Sequence, residues 1–343
     1  MPTAEQHVAA TATRSLVSIF ENLVVHQAVF AAAELAVADA LAEGPCTTLE
    51  LARQLDVDED ALYRVLRLLA GEGIFCEVAP RTIANTTASE CLRTNVPGSL
   101  RAMARYRGTP YFYQSFGQIL YSVRTGQPAR SKLLGVNGWE YLSRDADVAR
   151  IFDDAMTDFT ALTAPVIAAS YDFSRWGSLM DVGGGNGMLL AAILRAHPRL
   201  QGVLADQPHV IERARQRGLF GEDLQRRWRL EECDFFHAVP AGCRGYLLKS
   251  VIHDWDDEHA TKILENCRKV TPQDGALLLV ESELGAANVH TRGKVSDVSM
   301  MIATGGKERT VAEYRDLLAA AGFVQTSVVS TGVGFIVIEA LPQ

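Results

Sequence analysis

The 343 residues predict an α/β fold, a doubly wound sheet domain over residues 171–343 preceded by a mostly helical half. Three observations carry this reading. Beyond Trp176, short apolar runs alternate with amphipathic stretches. The run Leu179-Met180-Asp181-Val182 leads straight into glycines at 183, 185 and 187. Residues 45–75 hold two short helices with their own capping residues. Apolar residues make up 48% of the chain, enough for two cores, and a net charge of −8 offers nothing to a polyanion or an anionic membrane surface.

In the first half, Ile19, Leu23, Val24 and Val29, then Ala33, Leu35 and Leu41, have helical spacing. Glu5, Arg14 and Glu21 break the apolar character, so the N-terminus does not read as a secretory signal. No window is expected to approach the 18 apolar residues of a membrane span. The six cysteines are scattered without a C-x-x-C pair, which speaks against disulfides or a structural zinc and for a reducing cytoplasm. Thr47 and Glu50 form a capping box ahead of Leu51 and Leu55, and Asp58 caps a helix carrying Leu62, Val65, Leu66 and Leu69. Gly71-Glu72-Gly73 ends that helix, and Ile74–Val78 begins a small β-wing. The winged-helix pattern raises DNA binding as a reading. Six acids against three arginines between 45 and 75 oppose it, because a helix opening Asp-Glu-Asp meets phosphate with like charge. A scaffold or dimerisation role for residues 1–95 fits better. Residues 96–170 read as linking helices rich in aromatics, among them Tyr106, Tyr111, Phe112, Trp139, Phe152 and Phe159, and a few of these are expected to line an aromatic-binding cavity.

In the second half the expected strands are 179–182, 203–206, 229–234, 246–250, 277–281, 327–330 and 335–340, the last two as an antiparallel hairpin. The glycines lie on G-x-G-x-G, with Met188 where a dinucleotide fingerprint wants a third small residue. That favours a smaller adenosyl ligand held at a helix N-terminus over NAD. Asp206 ends the next strand, 23 residues after Gly183, where an acid can accept both ribose hydroxyls; the alternative is a cap on the helix Pro208–Arg217. Asp234 can accept an adenine amino group while Phe235 stacks on the ring, or it simply closes a turn. His253 falls at a strand end, where a catalytic group belongs, and Asp254–Asp257 read as the acidic start of the following helix. Acids around His253 and His259 raise a metal site, but the helix-opening run explains them more simply. Glu281 ends a buried strand, and Glu308 lies in Gly305-Gly306-Lys307-Glu308-Arg309-Thr310, read otherwise as a solvated loop.

Together these segments resemble the S-adenosylmethionine-dependent O-methyltransferases of the plant caffeate/flavonoid and bacterial natural-product type, over nearly the whole chain. The matching stretches are Asp181–Gly187, Asp206–Ile211, Asp234-Phe235, Lys249–Glu258, Glu281 and Gly305–Thr310. The resemblance implies a Rossmann-like methyltransferase domain behind a winged-helix half that forms an intertwined homodimer and lends residues to the partner's pocket. By it, Gly183, Gly185, Asp206, Asp234, Phe235 and Lys249 would hold S-adenosyl-L-methionine, with Met156 and Thr160 at its methionine end. His253 would be the base, flanked by Glu281 and Glu308. Phe159, Asp254, Trp255, Asp297, Met300 and Thr304 would face a small aromatic or polyketide-like hydroxyl substrate. Ala205-Asp206-Gln207 and Phe235 depart from the usual family residues.

The implied reaction is in-line methyl transfer to oxygen with His253 taking the proton and no metal ion. A free imidazole near ~6.5 against a phenol near ~10 leaves ~3.5 units, or ~5 kcal/mol, for full ionisation beforehand. Carboxylates beside the ring narrow that gap, and an aliphatic alcohol is too weak an acid, so a phenol or enol is expected. The competing readings are a relative that keeps the cofactor for decarboxylation or hydroxylation, a DNA-binding regulator, and a nicotinamide dehydrogenase.

Overall fold

The computed structural model describes residues 4–218, 220–224 and 226–343, and of residues 4–15 the backbone alone. The chain forms two compact units, Met1–Tyr113 with Asp154–Asp158, and Gln114–Asp153 with Phe159–Gln343.

The first unit opens with the helix Ala4–Glu34. Two short helices follow, Thr48–Leu55 and Glu59–Gly71. Both caps are those the sequence predicts. Thr47 Oγ1 accepts from Glu50 N–H at 3.3 Å while Glu50 Oε2 accepts from Thr47 N–H at 3.1 Å, and Asp58 Oδ1 accepts from Ala61 N–H at 2.8 Å. The wing pairs strands β1 (Cys46–Thr47), β2 (Phe75–Ala79) and β3 (Thr82–Asn85) in the order β1-β3-β2. Leu41, Leu51, Leu62, Leu66, Leu69 and Ile83 pack as its core.

One expectation is corrected in this unit. Leu16–Glu34 is 19 residues with a mean hydropathy of 1.5, long and apolar enough by composition to cross a membrane, and only 17% of that window is buried. Alanine and valine raise its hydropathy even though Glu21 interrupts it. Leu16, Ile19, Phe20, Leu23 and Val24 are all more than half exposed. An apolar stripe of this length on one helix marks an interaction face.

The second unit is built on a seven-stranded sheet. Its members are β4 (Ser178–Val182), β5 (Gln201–Asp206), β6 (Trp228–Glu232), β7 (Gly245–Lys249), β8 (Ala276–Ser282), β9 (Phe323–Ser330) and β10 (Phe335–Pro342), in the order β6-β5-β4-β7-β8-β10-β9. β10 runs antiparallel to both neighbours and the first five strands are parallel. β4, β5, β7, β8 and β10 read as near-continuous apolar runs because both of their faces are covered, whereas the edge strands β6 and β9 keep polar, partly exposed positions. Met180, Tyr246, Leu248, Leu277 and Leu279 pack towards helices Asp257–Val270 and Val311–Ala320. Leu179, Leu204, Leu247, Leu278 and Val280 pack on the opposite side with helix Met188–Ala196. Each such side chain, fully buried, contributes about 1.5–3 kcal/mol. Strand order reverses between β4 and β7, and a crevice beyond the carboxyl ends of strands at such a point is where ligands bind.

Candidate active site

The chain turns at the end of β4 through Gly183, Gly185 and Gly187, all with positive φ (71°, 60° and 82°), and Gly187 caps the helix Met188–Ala196. At Gly183 a Cβ would stand 2.9 Å from Val251 and 3.4 Å from the Phe235 ring, so Gly183, Val251 and Phe235 meet at one point. At Gly185 a Cβ would meet nothing within 4 Å, which leaves the peptide open to a ligand. Asp206 reaches back from the end of β5, and its Oδ2 accepts from Gly185 N–H at 2.8 Å. Its other oxygen accepts from Gln207 N–H at 2.7 Å. The helix Pro208–Arg217 is capped by Gln207 without a side-chain bond, so the capping alternative for Asp206 is set aside. Burial pushes the Asp206 carboxyl up to about 6, against the pull of those two N–H groups. Asp181 lies behind it, pushed up to about 7 by burial and then by the Asp206 charge. Its Oδ1 has no hydrogen-bond partner among the described residues.

Asp234 sits beyond β6 in a turn bridged to Ala238, with its carboxylate bonded to Phe236 N–H at 3.0 Å and beside His237 Nδ1 at 2.7 Å. The expected strand thus ends at Glu232, two residues early. Phe235 packs edge-on to Phe236 and Trp255, with ring centroids at 5.0 and 6.3 Å. Lys249 ends β7 and donates to Thr160 Oγ1 at 3.3 Å, with its ammonium 5.5 Å from the Phe159 ring. Burial, then the nearby Arg292 charge, lower it to about 8. Met156 belongs to the Asp154–Asp158 stretch of the first unit, unlike Phe159 and Thr160.

His253 lies on a 3-10 turn, Ile252–Asp254, and the next helix starts at Asp257 with Asp256 as its cap. Asp254 is therefore not part of a helix-opening run, because the turn ends before the helix begins. His253 is 8% exposed. Its Nδ1 lies 2.7 Å from Glu308 Oε1 and 3.6 Å from Glu281 Oε2, while Nε2 lies 3.8 Å from Asp254 Oδ1. Burial alone would lower its pKa, but Glu281, Asp254 and Glu308 outweigh burial and raise it to about 10. Glu281 is fully buried, and its Oε1 accepts from Ile252 N–H at 3.0 Å. Burial raises it to about 7, against the His253 charge. Glu308, 3% exposed, is no solvated loop charge, and the His253 charge and hydrogen bond overcome burial to hold it below the usual range. Burial likewise lifts Asp254 to about 6.

Among the expected substrate residues, several hold this cluster together. Asp297 Oδ1 accepts from Glu308 N–H at 3.0 Å. Thr304 Oγ1 accepts from Gly306 N–H at 3.2 Å, and Met300 C=O takes the Thr304 and Gly305 N–H groups at 2.9 Å. The Trp255 ring packs on Phe236 at 4.6 Å. Ser296, whose hydroxyl donates to Glu308 at 2.6 Å, carries no signal in one sequence and went unpredicted. Asp181 was legible as an acid ending a buried strand. His253, Glu281 and Glu308 bring three ligand atoms within 4.8 Å of one another, a donor set a cation could use. The Nδ1–Glu308 hydrogen bond and the preference for imidazolium compete with a metal there.

The residues fit an adenosyl ligand. Gly185 leaves backbone open, Asp206 keeps lone pairs beyond its two backbone bonds, and Phe235 borders the glycine turn. A mostly parallel sheet with this strand order and a glycine elbow makes a Rossmann-like domain, and the buried histidine–glutamate cluster places acid–base groups beyond its strand ends. The O-methyltransferase domain family matches residues 116–324, and the O-methyltransferase dimerisation domain matches residues 17–95. The phenazine O-methyltransferase PhzM of Lysobacter antibioticus is 36% identical over 318 residues, 93% of each chain. The crystal structure of LaPhzM superposes with a TM-score of 0.93 at 35% identity, covering 97% of this chain and 99% of that one. An O-methyltransferase from neocarzinostatin biosynthesis, NcsB1, solved with S-adenosyl-L-homocysteine and 1,4-dihydroxy-2-naphthoic acid, gives a TM-score of 0.78 at 33% identity over 93% and 96%. The chain belongs to the S-adenosylmethionine-dependent O-methyltransferases. Its exposed N-terminal stripe lies largely within the matched dimerisation domain.

Proposed function

We propose that this enzyme methylates a phenolic or enolic hydroxyl of a small aromatic or polyketide-like molecule, with His253 as general base and without a metal ion. The observation that carries the proposal is the orientation of His253. Nδ1 is committed to Glu308 at 2.7 Å, so Nε2 is the nitrogen left to take a proton. When bound, the cofactor supplies a methyl group on a positively charged sulfur. The new O–C bond forms as that S–C bond breaks, and the hydroxyl proton goes to Nε2. Asp206, Gly183 and Gly185 would hold the nucleoside, with Phe235 and Asp234 at the base and Lys249 and Thr160 at the other end.

With its pKa raised to about 10, the ring rests as imidazolium at neutral pH. One proton leaves the pair before transfer, whether the reacting state is written as neutral imidazole with phenol or as imidazolium with phenolate. The two forms have the same composition and the same pH dependence. Against a phenol near ~10, transfer to such a ring is close to isoenergetic, where a free imidazole would cost ~5 kcal/mol.

Relatives named for phenazine and a neighbour solved with a dihydroxynaphthoic acid support a small aromatic acceptor. The exposed stripe on helix Ala4–Glu34 supports a homodimer, with residues 1–95 as the dimerisation domain, 96–170 as linking helices that set acceptor choice and 171–343 as the cofactor domain. Six free thiols agree with a cytoplasmic setting. His253→Gln decides the base assignment. It should bind S-adenosyl-L-homocysteine as the parent does while losing turnover of every hydroxyarene the parent accepts, and full retained turnover would end the proposal.

A further inference from the structure

The base lies on one segment and its nearest acid on another. His253 is on the turn Ile252–Asp254 after β7, and Glu308 is in the loop before helix Val311–Ala320. Their 2.7 Å contact depends on these segments keeping register. Two features of the 305–309 loop do this. Gly306 lies so close to the turn that a Cβ would stand 2.1 Å from the His253 carbonyl oxygen and 2.7 Å from Trp255 N, so only glycine permits the approach. Arg309, the residue after Glu308, is 1% exposed and reaches across to the other segment.

Its hydrogen bonds use the full donor set of a guanidinium. Nη1 donates to Ile252 C=O at 3.1 Å and to Lys307 C=O at 3.4 Å. Nη2 donates to Trp255 C=O at 2.9 Å and to Asp257 Oδ1 at 2.8 Å, and Nε donates to the same oxygen at 3.0 Å. The carbonyls of Ile252 and Trp255 bracket His253, and Lys307 directly precedes Glu308. One planar side chain thus holds both sides of the His253–Glu308 pair. We propose that Arg309 is a positioning residue for the general base: through the Ile252, Trp255 and Asp257 bonds it fixes His253 against Glu308, and so fixes where Nε2 points. This rests on His253 being the base, as argued above. Arg309 itself touches no reacting atom.

The groups facing His253 are Asp254 on its own turn, Glu281 from β8 and Glu308 from the loop. Lys249 and Arg130 act on Asp254, and Asp297 and Tyr314 on the glutamates. Loosening the brace changes the Glu308 distance and leaves the other charges in place. Lysine keeps the positive charge of Arg309 but not its fork. Arg309→Lys is therefore expected to lower kcat by roughly 10- to 100-fold, as misplaced reacting groups do. Its affinity for S-adenosyl-L-homocysteine should stay within about threefold. The alkaline midpoint of kcat/KM against pH should fall by about one unit or more, because Nδ1 loses its closest carboxylate. Asp257→Asn tests the same brace from its outer end, where the side chain is 60% exposed and the fold is in least danger. It should move the midpoint the same way by a smaller amount.

Melting temperature and S-adenosyl-L-homocysteine titration accompany the pH profiles. Loss of activity in step with loss of folded protein, with an unmoved midpoint, overturns the proposal. Should Arg309→Lys not fold, an unchanged midpoint in Asp257→Asn does the same. A His253→Gln variant that keeps turnover would remove the base assignment instead, so the two failures are distinguishable.

Discussion

Replacing Glu308 with glutamine tests the electrostatics of the site most directly. Glu308 is 3% exposed and accepts from His253 Nδ1 at 2.7 Å, and glutamine keeps an acceptor oxygen while removing the charge. Unit charges at that distance interact by about 6 kcal/mol at an effective dielectric of ~20, a ceiling of more than four pKa units. The whole rise of His253, from 6.5 to about 10, is shared with Glu281 and Asp254 and already offsets burial. The share of Glu308 is therefore about 1–3 units, and the variant's midpoint should lie between about 7 and 9. On the alkaline plateau the base is weaker. If half of that change is felt in the transition state, the plateau falls roughly 3- to 30-fold. Below the midpoint the two effects oppose each other: a weaker base is present as neutral ring in a larger fraction. The deficit should shrink and then reverse towards neutral pH, where these two effects alone would leave the variant roughly 3- to 15-fold faster than the parent, less what misplacement of the ring costs.

Initial rates with labelled cofactor between pH 6 and 10.5 measure this, with the acceptor's own ionisation determined separately by absorbance and divided out. A Glu308→Gln profile that parallels the parent at every pH would refute the reasoning. So would a deficit that grows as pH falls.

The remaining predictions concern other parts of the molecule. Asp206→Ala removes a carboxylate that holds Gly185 N–H at 2.8 Å, and calorimetry should show S-adenosyl-L-homocysteine binding weakened by about 1.5–3 kcal/mol, some 10- to 150-fold. Gly306→Ala forces a Cβ to within 2.1 Å of a backbone oxygen, so a melting curve should show several degrees of destabilisation and the assay almost no turnover. Incubation with a chelator should leave the rate unchanged, because no metal enters the proposed reaction, and abolished turnover would point to the His253–Glu281–Glu308 donor set as a cation site. Phe20→Glu with Leu23→Glu places charges on the exposed apolar stripe and should convert a dimer to a monomer by light scattering, while an unchanged mass would put the interface elsewhere.

Much of the fold was legible because local signals and burial agree. The caps at Thr47 and Asp58 fall where predicted. The inner sheet strands read as apolar runs because both of their faces are covered. The ends were harder to place. Asp234 looked like the end of a strand because the apolar-acid pattern continues past Glu232, where the chain already turns. Asp254 looked like the first acid of a helix because composition does not separate a 3-10 turn from the helix beyond it. In the site, Asp206 and Glu281 were legible from their strand ends and His253 from the turn that follows one, whereas Glu308, in the loop before helix Val311–Ala320, was marked only by the family resemblance. The residues that orient these groups were not legible in that role. Asp297 was expected at the substrate wall and holds Glu308 N–H instead; it, Ser296 and Arg309 act through hydrogen bonds between separate segments, and neither periodicity nor spacing records such a partner. The apolar character of Leu16–Glu34 is spread over alanines and valines between Glu21 and Glu34, so it forms no single uninterrupted run in the sequence.

The buried charges have a common physical sense. Asp181, Asp206, Asp254 and Glu281 are each pushed up by burial, and each is therefore costly as an anion until a cation approaches. Lys249 is lowered by burial and lies in the same region. An acid-rich crevice of this kind suits a positively charged ligand, and the three acids around His253 also suit the state in which the positive charge has passed to the imidazole. The two demands concern different acids. Asp181 and Asp206 lie at the glycine elbow, while Asp254, Glu281 and Glu308 surround the base. Substitutions in the first pair should therefore appear in cofactor affinity and those in the second set in the pH profile. Glu281→Gln separates the two, since its Oε1 holds the Ile252 N–H and its other oxygen faces His253 with no hydrogen-bond partner among the described residues. It should lower the His253 midpoint by about one unit while S-adenosyl-L-homocysteine binds as before. Weakened binding with an unmoved midpoint would mean that Glu281 serves the cofactor and not the base.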